Sequence, residues 1–424
     1  MHANDLSEFS QSIFFINCQK TTTQGITMLL FIGIILPLFS FSIEGSLLIQ
    51  MIALSIFLLS AALAQLQNPQ GRHTFGMDNA TLIICFLIPI ISLLAISLAG
   101  RIDLVPQTLA FMACAIAARM LVTVYGIEKI CKVFIYANCS IAIIVFFLEF
   151  NSLISSLQLS TGSSGGRNRF SPFNSHPNLV GHIFGIAFLC CSVYAIWHRN
   201  HKNKIWFLTL ASSIISIAIV SAASSRGALI ATLCGFSSIF ISRMLKGKKV
   251  KRTASISTFI IVIVIMVGTI TKFDSIQNYF SELFEINSQF RGVDSGMSGR
   301  TDNWPFIISY SLETVDGVII GHGIRSWDDD KFDMATDSSF VNMLWESGVF
   351  LTIAVIMLFV KKIHAAAKAE NSYISDLILS VLVFALIESI VARYLLAIGN
   401  SGSLIILVFI LTPVSYFSGR KYIT

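Results

Sequence analysis

The chain has 424 residues, of which 54% are hydrophobic and only 12% charged, and its mean hydropathy is +0.76. Soluble domains carry roughly 25% charged residues, so two or three ordinary globular domains are excluded. The formal net charge of +6 acquires meaning only once the charges are placed along the chain.

The apolar residues fall in blocks of about 20, the length that carries a helix across a hydrocarbon core of ~30 Å. They run without a period-2 alternation, which removes a membrane barrel and leaves helices as the only spanning element. The expected fold class is therefore an all-α polytopic integral membrane protein. The first 25 residues are polar, with Asp5, Glu8 and Lys20, and lack a short basic start and a cleavage pattern, so no cleaved signal peptide is expected. About twelve spans are predicted, at 26–43, 46–66, 80–100, 104–125, 130–150, 177–197, 205–222, 226–245, 253–271, 338–360, 374–396 and 401–418. The chain thus divides into residues 1–271 (nine helices with an outer loop at 151–176), a large loop at 272–337, and residues 338–424 (three helices).

One alternating set of connections, including both termini, holds 18 of the 29 basic residues, while the opposite set holds four outside the large loop. Lys and Arg accumulate on the cytoplasmic side of short loops, so both termini are expected in the cytoplasm and 151–176 and 272–337 outside. Residues 272–337 hold 12 of the chain's 23 carboxylates. Within them Ile276, Tyr279, Phe280, Leu283 and Phe284 recur at helical spacing, which predicts an amphipathic helix lying on the membrane. A second helix is predicted from Trp304–Pro305, because proline suits a first turn. The eight cysteines lie in or beside apolar blocks without C-x-x-C spacing, so neither a disulfide framework nor a zinc site is indicated.

Polar groups in such a chain need a reason. Arg226, in Ser224-Ser225-Arg226-Gly227, lies on the side poor in basic residues. It reads either as a snorkelling anchor or as an anion clamp at a helix start. Arg300, in Ser298-Gly299-Arg300-Thr301-Asp302, reads either as a solvated charge beside Asp302 or as a second guanidinium, and two on one face could chelate a diphosphate. Gly321-His322-Gly323 lacks the third glycine of a nucleotide loop; it predicts a turn back toward the bilayer, with His322 either solvated or a base. Asp328, Asp329, Asp330 and Asp333 lack the glycine and closing glutamate of a calcium loop, so no metal site is expected. Asp337 reads as the N-cap of the next span and, partly desolvated at the membrane face, as a general base. Glu346, Glu388 and Arg393 fall within spans, where Glu388 and Arg393 read either as a structural pair or as functional groups. Arg167 and Arg169, ahead of the His176-Pro177 helix start, read either as solvated or as a positive wall around an anionic substrate.

Taken in order, Pro177-Asn178, Ser225-Arg226-Gly227, Ser298-Gly299-Arg300, Gly321-His322-Gly323, Asp337-Ser338-Ser339-Phe340 and Glu346-Ser347-Gly348 resemble the bacterial O-antigen ligase and O-antigen polymerase superfamily. The resemblance covers mainly 165–355. It implies a glycosyltransferase C-like fold in the bacterial inner membrane. It also implies transfer of a glycan from undecaprenyl diphosphate to an acceptor hydroxyl at the periplasmic face, with no cofactor and no essential metal. The arginines on the diphosphate would be Arg226 and Arg300. Ligases of the superfamily typically show a His-Asn pair just before the helix after the loop; here Asp337-Ser338 stands there, which favours a polymerase.

On this reading Asp337 is the first candidate for the base and His322 the second. Arg167, Arg169, His176, Arg291 and Arg325 are candidates for holding the diphosphate or acidic sugars. The expected partners are the lipid-linked oligosaccharide, membrane lipid and a candidate chain-length regulator protein, with no nucleic acid. A ligase acting on lipid A-core is the alternative. A transporter is the third reading, and it would place broken helices and paired charges near the midplane.

Overall fold

In the computed structural model the described residues are 22–37, 46–67, 77–157, 169–200, 203–245, 296–326, 337–369 and 372–417. Among them the regular structure is entirely helical. In chain order the helices are α1 (Thr22–Ile35), α2 (Ser46–Gln67), α3 (Asn79–Leu98), α4 (Val105–Met120), α5 (Ile127–Leu148) and α6 (Phe150–Leu157). There follow α7 (Pro177–Trp197), α8 (Lys204–Ala222), α9 (Arg226–Leu245), α10 (Gly296–Glu313) and α11 (Val315–Ile319). The last are α12 (Ser339–Lys368), α13 (Tyr373–Glu388), α14 (Ser401–Ile410) and α15 (Val414–Phe417). The predicted span 253–271 and the predicted amphipathic helix at 276–284 lie outside the described residues.

Seven helical segments among the described residues are long and apolar enough to cross a membrane, which makes this a polytopic membrane protein. One of them runs 47 residues, Ile102–Leu148. At 1.5 Å per residue that is about 70 Å, more than twice the hydrocarbon thickness. Gly126, at φ 90° and ψ 135°, divides it into α4 with its wider continuation Leu121–Gly126, and α5. Each part has the length of one crossing, close to the two predicted spans.

Helix α7 is the most enclosed span, with 83% of its most apolar stretch buried against 28% for α2. Glycines let the neighbours come close, as in other membrane helix pairs. A Cβ at Gly181 would come within 2.5 Å of Ser225 in α9's approach, one at Gly185 within 2.6 Å of Phe384 in α13, and one at Gly235 within 2.5 Å of the Ser380 carbonyl. Helices α7, α9 and α13 therefore form the tightest part of the bundle, with α5, α8, α12 and α14 around them.

Among the described residues three predicted spans break, and the last of them, 401–418, is divided at Leu411–Pro413 into α14 and α15. Helix α13 ends at Glu388 instead of running to 396, and 389–400 is irregular. Helix α12 bends at Gly348, whose φ 75° and ψ 176° belong to glycine. Helix α10 begins at Gly296, eight residues before the predicted start, and carries Pro305 inside it.

The residues that the charge bias assigns to the cytoplasm converge at one end. Asp78 caps α3, accepting from the Thr81 amide (2.9 Å) and hydroxyl (2.7 Å). Its other oxygen lies 3.5 Å from Lys362 Nζ and 3.8 Å from Arg119 Nη1. At the same end Asp376 Oδ2 accepts from Trp197 Nε1 (2.8 Å) and Arg243 Nε (3.0 Å), joining α7, α9 and α13. Burial pushes the Asp78 carboxyl up, but Lys362, Thr81 and Arg119 outweigh it and hold it below the usual aspartate range.

Two expectations follow. Gly348→Ala adds a strained backbone and a Cβ 2.7 Å from the Val318 carbonyl, whereas Gly100→Ala, at φ 70° with open space around it, adds strain alone. The strain at each costs about 1–3 kcal/mol, so thermal unfolding in detergent should show Gly348→Ala as the larger loss. A depressed carboxylate stabilises fully above its unfolded value of about 4, and that contribution disappears as pH falls through the lowered folded value. Acid titration of tryptophan fluorescence should show a transition in this window that Asp78→Asn removes, with lower stability of the variant at neutral pH.

Candidate active site

The opposite end of the bundle gathers most of the expected site residues through two backbone joints. The first joint is made by the broken end of α13. Ser338 is the N-cap of α12, its hydroxyl accepting from the Val341 amide at 3.5 Å. Asp337 therefore lies one residue outside the cap; the capping role expected of it belongs to Ser338. The Ser339 amide donates to the carbonyls of Ser389 (2.9 Å) and Ala392 (3.0 Å), and its hydroxyl donates to Ala392 (2.6 Å) while accepting from Leu395 N (3.2 Å). The Ser338 hydroxyl donates to Ser389 as well (3.2 Å). Both serines are buried. The backbone groups freed where α13 stops are thus satisfied by the start of α12.

The same irregular segment meets the start of α9. Gly227 packs so closely on Val391 that a Cβ could not be accommodated without movement. Segment 389–395 consequently sits between the helix starts that carry Arg226 and Asp337, and both of these residues are half-buried. Ser224 adopts φ 50° just ahead of Arg226. Arg169 holds that turn: its Nε donates to the Ala223 carbonyl (3.0 Å), and its Nη2 to Asn178 Oδ1 (3.1 Å) and the Ser224 carbonyl (3.4 Å). Cationic side chains commonly serve carbonyls at a helix end in this way. Arg169 therefore positions Arg226, with much of its guanidinium committed to protein groups. His176 caps α7, its Nδ1 accepting from the Asn178 amide (3.3 Å), and is exposed.

The second joint docks the glycine turn. Gly321 and Gly323 have φ 70° and 95°. The His322 amide donates to the Trp345 carbonyl and the Gly323 amide to the Glu346 carbonyl, both at 2.9 Å. These carbonyls are the ones left without helical donors by the bend at Gly348. A Cβ at Gly321 would come within 2.5 Å of the Ser347 nitrogen, so the turn requires glycine twice over. The Glu346 carboxylate accepts from the Arg325 amide (2.8 Å), and Ser92 of α3 accepts from the Ile324 amide (2.8 Å).

His322 is packed edge-on against Trp345, ring centroids 3.8 Å apart, and Tyr310 of α10 stacks on Trp345 at 5.5 Å. Trp304, Ile307 and Val341 complete this small cluster. It fixes α10 on the first turns of α12, and Arg300 lies one turn before Trp304 on α10. Trp345 is eight residues beyond Asp337, so the His322 turn docks about 12 Å along α12 from Asp337. Arg325 is exposed at φ 62°. Arg167 and Arg291, together with Asp328, Asp329, Asp330 and Asp333, lie outside the described residues. Among the described residues no group of three or more His, Cys, Asp or Glu is disposed to hold a metal ion.

Glu388, read from the sequence as a structural partner of Arg393 or as a functional group, forms a buried pair with His182. His182 Nδ1 and Glu388 Oε2 are 2.5 Å apart, with side chains 1% and 3% exposed. His182 also lies against Tyr394 and Phe384. The sequence signal was present, an ionisable residue inside each of two apolar blocks, but its partner across 206 positions was not readable. Glu388 is the last residue of α13, and its carbonyl accepts from Val391 N (2.9 Å) and Ala392 N (2.8 Å). The pair thus anchors the first joint.

Residues 211–356 match the family described as O-antigen ligase (Wzy_C). The chain carries an O-antigen ligase/polymerase family domain. The match covers about a third of the chain and includes Arg226, Arg291, Arg300, His322, Arg325 and Asp337. No curated protein matches the chain. The domain contains α9 to α11 and the bent first half of α12; α7, Arg169 and the Glu388 end of α13 support it from outside.

Removing one partner of a buried pair costs about 3–5 kcal/mol. Glu388→Ala should therefore lower the melting temperature sharply, with His182→Ala adding little to it. Additive losses from the two substitutions would show that the contact is not the source of the effect.

Proposed function

We propose that this family member is an O-antigen polymerase, joining undecaprenyl-diphosphate-linked repeat units at the periplasmic face of the bacterial inner membrane. The observation that carries the reading is the joint at 389–395, which brings the helix starts bearing Arg226 and Asp337 to one end of the bundle while Ser338, not Asp337, serves as the cap. Asp337 stands at a half-buried position beside that joint, and a carboxylate there is suited to proton transfer.

An acceptor sugar hydroxyl attacks the anomeric carbon of the donor glycan, and its proton passes to the Asp337 carboxylate. The bond between that carbon and the diphosphate oxygen breaks, and undecaprenyl diphosphate departs with the electron pair. Arg226 and Arg300 stabilise the charge growing on the departing diphosphate, the preorganised electrostatic contribution that often dominates catalysis. A diphosphate is already a good leaving group, so no strong general acid is called for. His322, engaged with Trp345 further along α12, is better placed to hold the turn than to act as the base.

The Asp337-Ser338 pair, in place of the His-Asn of ligases, supports polymerisation over ligation to lipid A-core. Broken helices and a buried charge-capable pair also occur in transporters. Here one break supports Arg226 and Asp337 directly, and the other seats the His322 turn within the matched domain, which supports surface chemistry.

Arg226→Ala and Arg300→Ala should each abolish polymer in cells while leaving protein levels intact, read from the electrophoretic profile of surface polysaccharide. Cells lacking the protein should show core with a single repeat and no ladder. Bare core with long polymer stranded on the lipid carrier would instead establish the ligase, and normal chains from either arginine variant would overturn the mechanism.

A further inference from the structure

Segment 389–395, which joins the broken end of α13 to the starts of α9 and α12, carries one charged residue, Arg393. The sequence left a structural pair between Glu388 and Arg393 open. Among the described residues Glu388 pairs instead with His182, inside the bundle. Arg393 lies five positions further along the chain and is exposed.

The backbone around Arg393 is fixed on both sides. The carbonyl of Ala392, just before it, accepts from the Ser339 amide (3.0 Å) and hydroxyl (2.6 Å). The amide of Leu395, two residues after it, donates to the same hydroxyl (3.2 Å). Ser339 is two residues from Asp337. Val391, two residues before Arg393, packs on Gly227, the neighbour of Arg226. Arg393 is thus carried on the short stretch that touches the helix starts of both Arg226 and Asp337. Ser339 lies 23 residues from Lys362 along α12, about 35 Å at 1.5 Å per residue. That exceeds a hydrocarbon core of ~30 Å. With Lys362 at the end that the charge bias assigns to the cytoplasm, Arg393 stands at the level of the outer headgroups.

A guanidinium at that level meets phosphate oxygens through paired N–H donors. Two kinds of phosphate reach it, the headgroups of ordinary membrane lipids and the diphosphate of a lipid-linked glycan. The position of Arg393 on the stretch between Arg226 and Asp337 favours the second. In the proposed transfer the bond between the anomeric carbon and the diphosphate oxygen breaks, and that oxygen keeps the electron pair. The diphosphate therefore gains negative charge as the reaction proceeds. A cation held rigidly nearby stabilises that state more than it stabilises the bound donor. The matched family domain ends at residue 356, so Arg393 is outside it.

On the transferase reading, on which this assignment rests, we propose that Arg393 is a third guanidinium of the site. It binds the diphosphate of the lipid-linked glycan together with Arg226 and Arg300.

The test is titration of the purified full chain in neutral detergent with undecaprenyl diphosphate, followed by the rise in melting temperature, with phosphatidylglycerol titrated in parallel. Arg393→Ala should weaken undecaprenyl diphosphate by about tenfold or more, the loss expected of a charge-assisted contact, and leave phosphatidylglycerol unchanged. Arg393→Lys keeps the charge without the paired donors and should fall between the wild type and Arg393→Ala. Unchanged affinity for undecaprenyl diphosphate in Arg393→Ala overturns the assignment. An equal loss for both lipids also overturns it and marks Arg393 as a membrane anchor. Where Arg393→Ala melts too low to titrate, Arg393→Lys decides by the same criteria. Arg226→Ala separates this assignment from the reading beneath it. If that variant binds undecaprenyl diphosphate as tightly as the wild type, the diphosphate clamp itself fails; a loss in Arg226→Ala with none in Arg393→Ala removes Arg393 alone.

Discussion

The constraint on which the rest of this structure depends is that a helix interrupted inside a membrane bundle must find new partners for the backbone groups it releases. Helices α12 and α13 are both interrupted, and each is repaired by a turn or a helix start of another element. The carbonyls freed at the Gly348 bend receive the amides of His322 and Gly323. The groups freed beyond Glu388 receive Ser338 and Ser339. Irregular backbone is therefore concentrated where it meets irregular backbone, and the helices between can remain continuous. The candidate site residues sit at these repairs, where loops and helix starts meet within the bundle.

The charged groups follow the same economy. At one end Asp78 and Asp376 gather cations and an indole from several helices, tying α3, α4, α7, α9, α12 and α13 together. At the other, Arg169 is bound to the carbonyls closing α8, just ahead of the helix start that carries Arg226 beside 389–395. His182 and Glu388 hold that segment from below.

Much of this was legible in the sequence because hydrophobic block length and the distribution of Lys and Arg are one-dimensional signals. The spans 46–66, 177–197, 205–222 and 226–245 coincide closely with α2, α7, α8 and α9. The Gly321-His322-Gly323 turn and the Pro177 helix start were readable from glycine and proline geometry. What was not legible required a partner distant in the chain. Nothing local to 389–396 says that α13 stops at Glu388, since the segment is as apolar as a helix; the break is stabilised by Ser338 and Ser339, some fifty positions earlier. The contacts of Arg169, which read either as solvated or as part of a positive wall, were hidden because its carbonyl acceptors lie 54 and 55 residues away. The start of α10 was misplaced because Pro305 suits a first turn, yet it is also tolerated further in.

The two joints share one element, and that sharing has a mechanical consequence. Helix α12 is held at Ser338–Ser339 by the 389–395 segment and again at Trp345–Gly348 by the glycine turn. Residues 338–348 form about three turns clamped at both ends. Asp337 projects from one end of this clamp, while Tyr310 and Trp304 lock α10, the helix of Arg300, onto its side. Arg226 belongs to the third element, placed by Gly227 against Val391. For the proposed transfer, a base and two arginines carried on three elements can stabilise a developing charge only if those elements do not move relative to one another. The clamped segment is the part common to all three, so the rigidity of the candidate site resides in closely packed serines and glycines.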